Sequence, residues 1–178
     1  MDRPQRIGLM GGTFDPVHFG HLVTAESARY KYRLDKVIFI PSGTPPHKKL
    51  RKISSASHRM EMTLLATVTN PYFEVSAIEV ERSGYSYAYD TVCEFCELYG
   101  DTAELFFITG ADAIMEILTW KNVDLLMEKC CFIAATRSGF WLDLPNTLPQ
   151  KFWPKVHFME IPALAISSTD IRDRKSVV

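Results

Sequence analysis

This chain of 178 residues lacks several features that would direct it to a common class of binding protein. Neither the G-x-G-x-x-G turn of dinucleotide-binding domains nor the G-x-x-x-x-G-K-[ST] pattern of P-loops occurs in it. Its formal net charge is only −1, so no long-range field attracts nucleic acid or an anionic membrane. No apolar stretch reaches the roughly 18 residues of a membrane span, and the N-terminus does not resemble a secretory signal. We therefore expect a cytoplasmic protein that binds neither nucleic acid nor membrane.

Cysteine is also scarce, with four residues in the whole chain. Cys93 and Cys96 have the C-x-x-C spacing of some redox and zinc sites, but they fall in a predicted helix without a Gly or Pro turn. Cys130 and Cys131 are adjacent in a predicted strand, where neighbouring side chains face opposite sides. We therefore favour free thiols packed as small apolar groups over a disulfide or a metal site.

The remaining composition is that of an ordinary globular protein, with 47% apolar and 23% charged residues. The length favours one domain over residues 1–178. Several apolar segments have no polar alternation, as expected when both faces of a parallel sheet are covered. Their alternation with helical patterns predicts a doubly wound, mostly parallel α/β sheet with its ligand at the carboxyl ends of the strands. Strands are predicted at 7–10, 36–40, 73–80, 105–109, 130–135 and 157–161, and helices at 20–32, 57–69, 87–99, 111–118 and 124–128.

The segment 8–21, GLMGGTFDPVHFGH, carries the most functional information. Gly11 and Gly12 allow a phosphate to approach the backbone N–H groups, and the start of the next helix favours an anion. His18 and His21 are one helical turn apart, so both rings can reach the same phosphate. The alternative is an ordinary pair of histidines, one capping the helix and one in solvent. The glycines and the preceding strand favour the phosphate interpretation.

Residues 11–21 resemble the H-x-G-H signature of the nucleotidyltransferase superfamily, and the GGTFDP at their start is similar to bacterial nicotinate-mononucleotide adenylyltransferases. Residues 166–172, ISSTDIR, resemble the second signature of that superfamily, and the whole resemblance spans residues 6–172. It implies a Rossmann-like fold and the transfer of AMP from ATP to nicotinate mononucleotide, with release of pyrophosphate, in NAD biosynthesis. Further matches in the family's order are Pro45-Pro46-His47-Lys48, Ser86-Tyr87 with Asp90-Thr91, Gly110-Ala111-Asp112 and Trp120.

The resemblance also implies which residues contact the two substrates. Mg²⁺ is expected to be bound with ATP, because no carboxylate cluster for a protein-held metal is evident. His18, His21 and Arg172 are expected to act on the reacting phosphates. ATP contacts are expected from Gly11, Gly12, Thr13, Phe14, His18, His21, Gly110, Asp112, Ser168, Thr169 and Arg172, and mononucleotide contacts from Thr13, Lys48, Ala88, Asp112, Trp120 and Arg137.

Several of these residues also have a purely structural interpretation. Ser168-Thr169 and Asp112 are common helix N-caps, Trp120 is of a type more often found in a core, and the basic loop 42–57 could be a solvated surface. Two positions depart from the family: Ala88 replaces a frequent Thr near the nicotinate carboxylate, and Lys121 follows Trp120 where some relatives have an aromatic residue. The preference for nicotinate over nicotinamide therefore stays open.

Three functions remain on sequence grounds. A nicotinate-mononucleotide adenylyltransferase is favoured. The second possibility is a sibling enzyme such as a phosphopantetheine adenylyltransferase or a cytidylyltransferase, which would keep both end signatures. The third is a non-catalytic nucleotide-binding module, which would be expected to have lost one of His18, His21 and Arg172. The oligomeric state, a homo-oligomer included, is left open. The sequence stops just after the second signature, so we expect the C-terminal end of the domain to be truncated relative to the family.

Overall fold

The computed structural model describes residues 3–45, 53–137, 148–162 and 164–173. Its strands form one sheet in the order β3-β2-β1-β4-β5-β6, and every neighbouring pair is parallel. The predicted parallel α/β architecture is therefore confirmed, and the strand order is now defined. The strands are β1 (Gln5–Gly12), β2 (Lys36–Pro41), β3 (Phe73–Val75), β4 (Ala103–Gly110), β5 (Cys131–Arg137) and β6 (Val156–Ile161).

Helices follow or precede the strands as expected for crossover connections. None of the helices within the described ranges combines the length and apolarity that a membrane crossing requires. Short 3₁₀ helices cover Gly100–Thr102, Ile117–Thr119 and Gln150–Lys155. The α-helices are α1 (Phe19–Lys31), α2 (Ala56–Thr67), α3 (Ile78–Glu81), α4 (Ala88–Tyr99), α5 (Ala111–Met115), α6 (Val123–Lys129) and α7 (Ser168–Asp173).

Successive residues of the central strands enter two separate cores, one on each face of the sheet. Leu9 packs with Phe95 of α4 and Leu126 of α6 on one face, whereas Met10 packs with Ala25 and Ala28 of α1 on the other. Each fully buried aliphatic or aromatic side chain contributes roughly 1.5–3 kcal/mol. Burial on both faces explains why these strands are apolar throughout rather than alternating.

One predicted strand is wrong in its second half. The interval 73–80 was expected to be a single strand, but β3 ends at Val75 and residues 78–81 form α3. The Ser76 N–H still donates to the Phe39 carbonyl at 2.9 Å, and the Ser76 hydroxyl then accepts the Ile78 N–H at 3.3 Å. This local bond lies at the turn from β3 into α3, whose N-cap is Ala77. The predicted helix 111–118 is likewise interrupted at Glu116, where α5 gives way to a 3₁₀ helix.

All four cysteines are free thiols in the structure. Cys93 and Cys96 lie on α4, and Cys130 is buried at the end of α6. Burial raises the pKa of the Cys130 thiol far above its usual range, which keeps that side chain protonated and unreactive.

The strand order determines where a ligand can bind. The chain moves outward from β1 to β2 and β3, then returns to add β4 on the other side of β1. At such a reversal, the connections leaving the carboxyl ends of the two central strands diverge and a crevice opens between them. The glycine loop after β1 and the Gly110 turn after β4 both lie at this crevice.

Candidate active site

Two clefts share Thr109 at the carboxyl end of β4. We name them by their characteristic residues, the Trp120 cleft and the histidine cleft. The Trp120 cleft encloses about 380 Å³ and is lined by residues that include Gly11, Gly12, Thr13, Glu79, Ala88, Trp120 and Lys121. The histidine cleft encloses about 410 Å³ and is lined by residues that include His18, His21, Gly110, Asp112, Ile161 and Ile166.

The two histidines are held by reciprocal hydrogen bonds at the start of α1. His18 is the N-cap, and its Nδ1 accepts the Gly20 N–H at 3.1 Å. The His18 N–H in turn donates to Nδ1 of His21 at 3.2 Å, and the ring centroids are 3.8 Å apart. An imidazole nitrogen that accepts a hydrogen bond carries no proton, so each neutral ring keeps its proton on Nε2. The two rings lie side by side, as the helical spacing predicts, and His18 also fills the capping role of the alternative interpretation.

The residues around the pair fix its orientation and charge. Burial lowers the pKa of His18, which favours the neutral ring that the cap requires. The Phe14 ring lies edge-on to His21 with centroids 5.0 Å apart, and its exposed fraction is only 2%. Phe14 was expected among the ATP contacts. Its ring belongs to the core under His21, which leaves only its backbone for a ligand.

The half-buried, capping His18 makes the folded state more difficult to protonate than the unfolded chain. Its pKa is lowered in the fold, so stability is complete above the unfolded value of about 6.5 and is lost as the pH falls toward the folded value. His18→Asn retains a capping acceptor that does not titrate. Chemical denaturation at about pH 7.5, 6.5 and 5.5 should show the wild type losing more stability than the variant. If both proteins lost the same free energy of unfolding between about pH 7.5 and about pH 5.5, the effect could not be assigned to His18.

The second signature contacts the first directly. The Ser168 hydroxyl donates to the Pro16 carbonyl at 2.8 Å, and Nη1 of Arg172 donates to the Asp15 carbonyl. Nη2 of Arg172 also donates to the Thr169 hydroxyl at 3.2 Å. The capping alternative for Ser168-Thr169 is wrong, because Ser167 is the residue whose hydroxyl accepts the Asp170 N–H, at 3.1 Å.

The Trp120 cleft combines an aromatic wall with a charged rim. The Trp120 ring packs against Phe107 with centroids 5.9 Å apart, so Trp120 has both a core contact and a cleft surface. Nζ of Lys121 lies 2.9 and 3.1 Å from the two carboxylate oxygens of Asp90. Ala88 is the first residue of α4, and no side-chain hydrogen bond caps that helix. The start of α4 therefore presents its backbone at this wall without a side-chain cap.

The structure places the other predicted site residues as follows. Asp112, which was expected to contact both substrates, lines the histidine cleft; its capping alternative is wrong because Gly110 is the N-cap of α5. Gly11 and Gly12, expected at ATP, line the Trp120 cleft. Arg137 is the last residue of β5 and pairs in register with Ile161 of β6. Lys48 and its neighbours 46–52 lie outside the described residues.

Two buried charged residues near the clefts are missed by the sequence reasoning. Glu79 is 6% exposed and accepts the Thr91 hydroxyl at 2.6 Å, and burial raises the pKa of its carboxyl. Arg59 of α2 is 1% exposed, and its guanidinium donates to three backbone carbonyls. In the sequence, the burial of Glu79 and Arg59 is indicated only by the position of each charge within an otherwise apolar helical or strand-like pattern.

In the described ranges, no group of three or more His, Cys, Asp or Glu side chains is placed to hold a metal ion.

Comparison with known proteins agrees with this geometry. A model of the cytidylyltransferase-like family matches residues 9–174. The relatives of this chain include proteins named probable nicotinate-nucleotide adenylyltransferase. One from Moorella thermoacetica is 60% identical, and the match covers 97% of this chain and 81% of the relative. Another from Thermoanaerobacter sp. is 54% identical, and the match covers 98% of this chain and 84% of the relative. The fold is similar to Plasmodium falciparum nicotinic acid mononucleotide adenylyltransferase complexed with NaAD, with a TM-score of 0.76 at 22% identity, covering 94% of this chain and 82% of that one.

Proposed function

The chain belongs to the cytidylyltransferase-like family and, within it, to the nicotinate-nucleotide adenylyltransferases, and we therefore propose that it transfers AMP from ATP to nicotinate mononucleotide. The products are nicotinate adenine dinucleotide and pyrophosphate, a step of NAD biosynthesis. The observation that carries this proposal is the junction of two nucleotide-sized clefts at Thr109, beside a glycine loop and a paired histidine donor.

The reaction requires no nucleophilic side chain. An oxygen of the mononucleotide 5′-phosphate attacks the α-phosphorus of ATP, and the bond from that phosphorus to the bridging α,β-oxygen breaks as pyrophosphate leaves in line. Such a transfer is catalysed by positioning and by neutralising charge on the phosphate oxygens. His18 and His21 line the histidine cleft with their protons on Nε2, so they can donate to the α- and β-phosphates.

The histidine cleft is assigned to ATP, which enters as its Mg²⁺ complex. With no protein carboxylate cluster among the described residues, the ion is held by phosphate oxygens and water, as is usual for Mg²⁺. Asp112, which lines this cleft, is proposed to accept hydrogen bonds from ribose hydroxyls. Ser168, Thr169 and Arg172, tied to residues 15 and 16, are proposed to contact the β- and γ-phosphates and the leaving pyrophosphate.

The Trp120 cleft is assigned to the mononucleotide. Trp120 supplies an aromatic face on which a pyridine ring can stack. Thr13 and the glycine backbone lie where the 5′-phosphate must meet ATP. Lys48 and Arg137 remain proposed contacts to the mononucleotide phosphate and to the nucleotide. The start of α4 at Ala88 is assigned to the nicotinate carboxylate, because an uncapped helix start favours an anion.

This assignment predicts a preference for the acid over the amide. The uncapped α4 start favours a carboxylate, whereas the Lys121 ammonium is already paired with Asp90, so kcat/KM for nicotinate mononucleotide should exceed that for nicotinamide mononucleotide by about tenfold or more, a difference of about 1.4 kcal/mol. The test incubates the protein with Mg·ATP and each mononucleotide and follows dinucleotide and pyrophosphate by chromatography. Equal or reversed preference would contradict the assignment of Ala88. No dinucleotide from either would contradict the proposed function and favour a sibling transferase or a binding module.

A further inference from the structure

We propose that Arg59 is a positioning residue that orients the Thr13–Phe14 peptide so that the Phe14 N–H is presented to the reacting phosphates. The proposal rests on the adenylyl transfer described above. Arg59 lies on α2 and is absent from the residues that line either the Trp120 cleft or the histidine cleft within the described part of the chain. It therefore acts through the backbone of the loop after β1.

The guanidinium of Arg59 connects three separate segments. Nη1 donates to the Thr13 carbonyl at 2.7 Å, Nη2 to the Gly43 carbonyl at 3.1 Å, and Nε to the Ser54 carbonyl at 3.0 Å. Asp15, which is 6% exposed, lies close enough for its charge to oppose the effect of burial on the pKa of Arg59. A fully buried arginine is rare unless it is compensated. Here the compensation consists of three backbone carbonyls and the nearby charge of Asp15.

The bond to Thr13 determines the direction of the following N–H. A trans peptide is planar, so the Phe14 N–H points opposite to the Thr13 carbonyl. That carbonyl is turned toward Arg59 and Thr13 lines the Trp120 cleft, so we infer that the N–H on the opposite side of the peptide faces this cleft. Among the described residues, no hydrogen bond uses this N–H as a donor. Phe14 also has a φ of +49°, a conformation that an aromatic residue rarely adopts.

The proposed consequence is a preorganised backbone donor for phosphate charge. If the peptide rotated by half a turn, the Thr13 carbonyl would face the cleft and repel the phosphates. Arg59 prevents this rotation by holding the carbonyl, and the buried Phe14 ring holds the other side of the residue. Removing one such donor from a transition state typically lowers kcat about 10²- to 10³-fold.

The first test compares Arg59→Met and Arg59→Lys with the wild type. We expect kcat to fall about a hundredfold in Arg59→Met, with KM for both substrates within about threefold, because the donor acts on charge that develops in the transition state. Arg59→Lys keeps a charge and part of the carbonyl binding, so it should recover about tenfold of that loss. Thr63→Ala is the matched control. Thr63 is buried on the same helix, and its hydroxyl donates to the Arg59 carbonyl at 2.7 Å. Removing this hydroxyl should therefore lower Tm without changing kcat.

A second test uses the wild-type protein and does not depend on whether a variant folds. In ¹H–¹⁵N spectra, the Phe14 amide proton should move downfield as the protein is saturated with α,β-methylene ATP and nicotinate mononucleotide together. An unmoved Phe14 signal at saturation, or a kcat of Arg59→Met equal to that of the wild type, would overturn the proposal. If the wild type itself forms no dinucleotide, the proposed function fails instead, and the two failures are therefore distinguishable.

Discussion

His21→Ala should lower kcat by about a hundredfold or more, because it removes a hydrogen-bond donor from the charge that develops at the transferring phosphate. The ring of His21 lies 3.8 Å from that of His18, and its Nδ1 accepts the His18 N–H. The Nε2 proton is therefore fixed in direction before ATP binds. Steady-state turnover with Mg·ATP and nicotinate mononucleotide measures the effect, and KM should change much less than kcat.

Loss of this side chain also removes half of the capping arrangement at the start of α1, which costs about 1 kcal/mol of stability. The folded fraction must therefore be measured beside the turnover, by thermal denaturation. His58→Ala is a suitable control, because His58 is an exposed residue of α2 that lines neither of the two clefts, as far as the described residues extend. Turnover close to normal in folded His21→Ala protein would exclude a catalytic role for the pair.

The second large effect concerns Gly43, at the loop after β2. A Cβ on this residue would lie 2.1 Å from the carbonyl oxygen of Glu79 and 3.0 Å from its carbonyl carbon. The loop cannot easily retreat, because the Gly43 N–H donates to the Ser86 hydroxyl at 3.0 Å and the Gly43 carbonyl accepts from Arg59 at 3.1 Å. Gly43→Ala should therefore lower the free energy of unfolding by about 3 kcal/mol or more, which corresponds to a fall in Tm of roughly 6–12 °C.

Gly110→Ala provides the comparison for this stability effect. Gly110 is also a glycine at a strand end, but a Cβ there meets no atom within 4 Å, and its φ of −74° suits any residue. Its Tm should stay within about 3 °C of the wild type, which corresponds to less than about 1 kcal/mol at this chain length. Equal Tm values for both variants would contradict the close contact with Glu79.

Much of the sheet could be predicted because the central strands are buried on both faces and read as continuous apolar runs. The same rule failed at 76–80, where the apolar run is short and the chain turns at Ser76 into the helix α3. Strand order could not be derived, since it depends on pairings between residues far apart in sequence, such as Leu9 with Phe107. Local periodicity contains no information about such partners.

The candidate site also has features that the sequence predicts and features that it does not. The pairing of His18 with His21 follows from helical spacing, so the sequence predicts it directly. The role of Arg59 could not be predicted, because it contacts the Thr13 carbonyl across 46 positions of sequence. The division of the glycines and Asp112 between the two clefts depends on the direction of each backbone segment, which only the folded chain defines.

The bonds that join Ser168 and Arg172 to residues 15 and 16 span 152 and 157 positions of the chain. During synthesis the glycine loop leaves the ribosome early, but its C-terminal partner follows only after roughly 8 to 30 s at ordinary elongation rates. Over that interval the nascent chain has the histidine pair without the segment that contacts residues 15 and 16. The two signatures can therefore join only after translation has passed residue 172, so this contact forms after β6 has been synthesised.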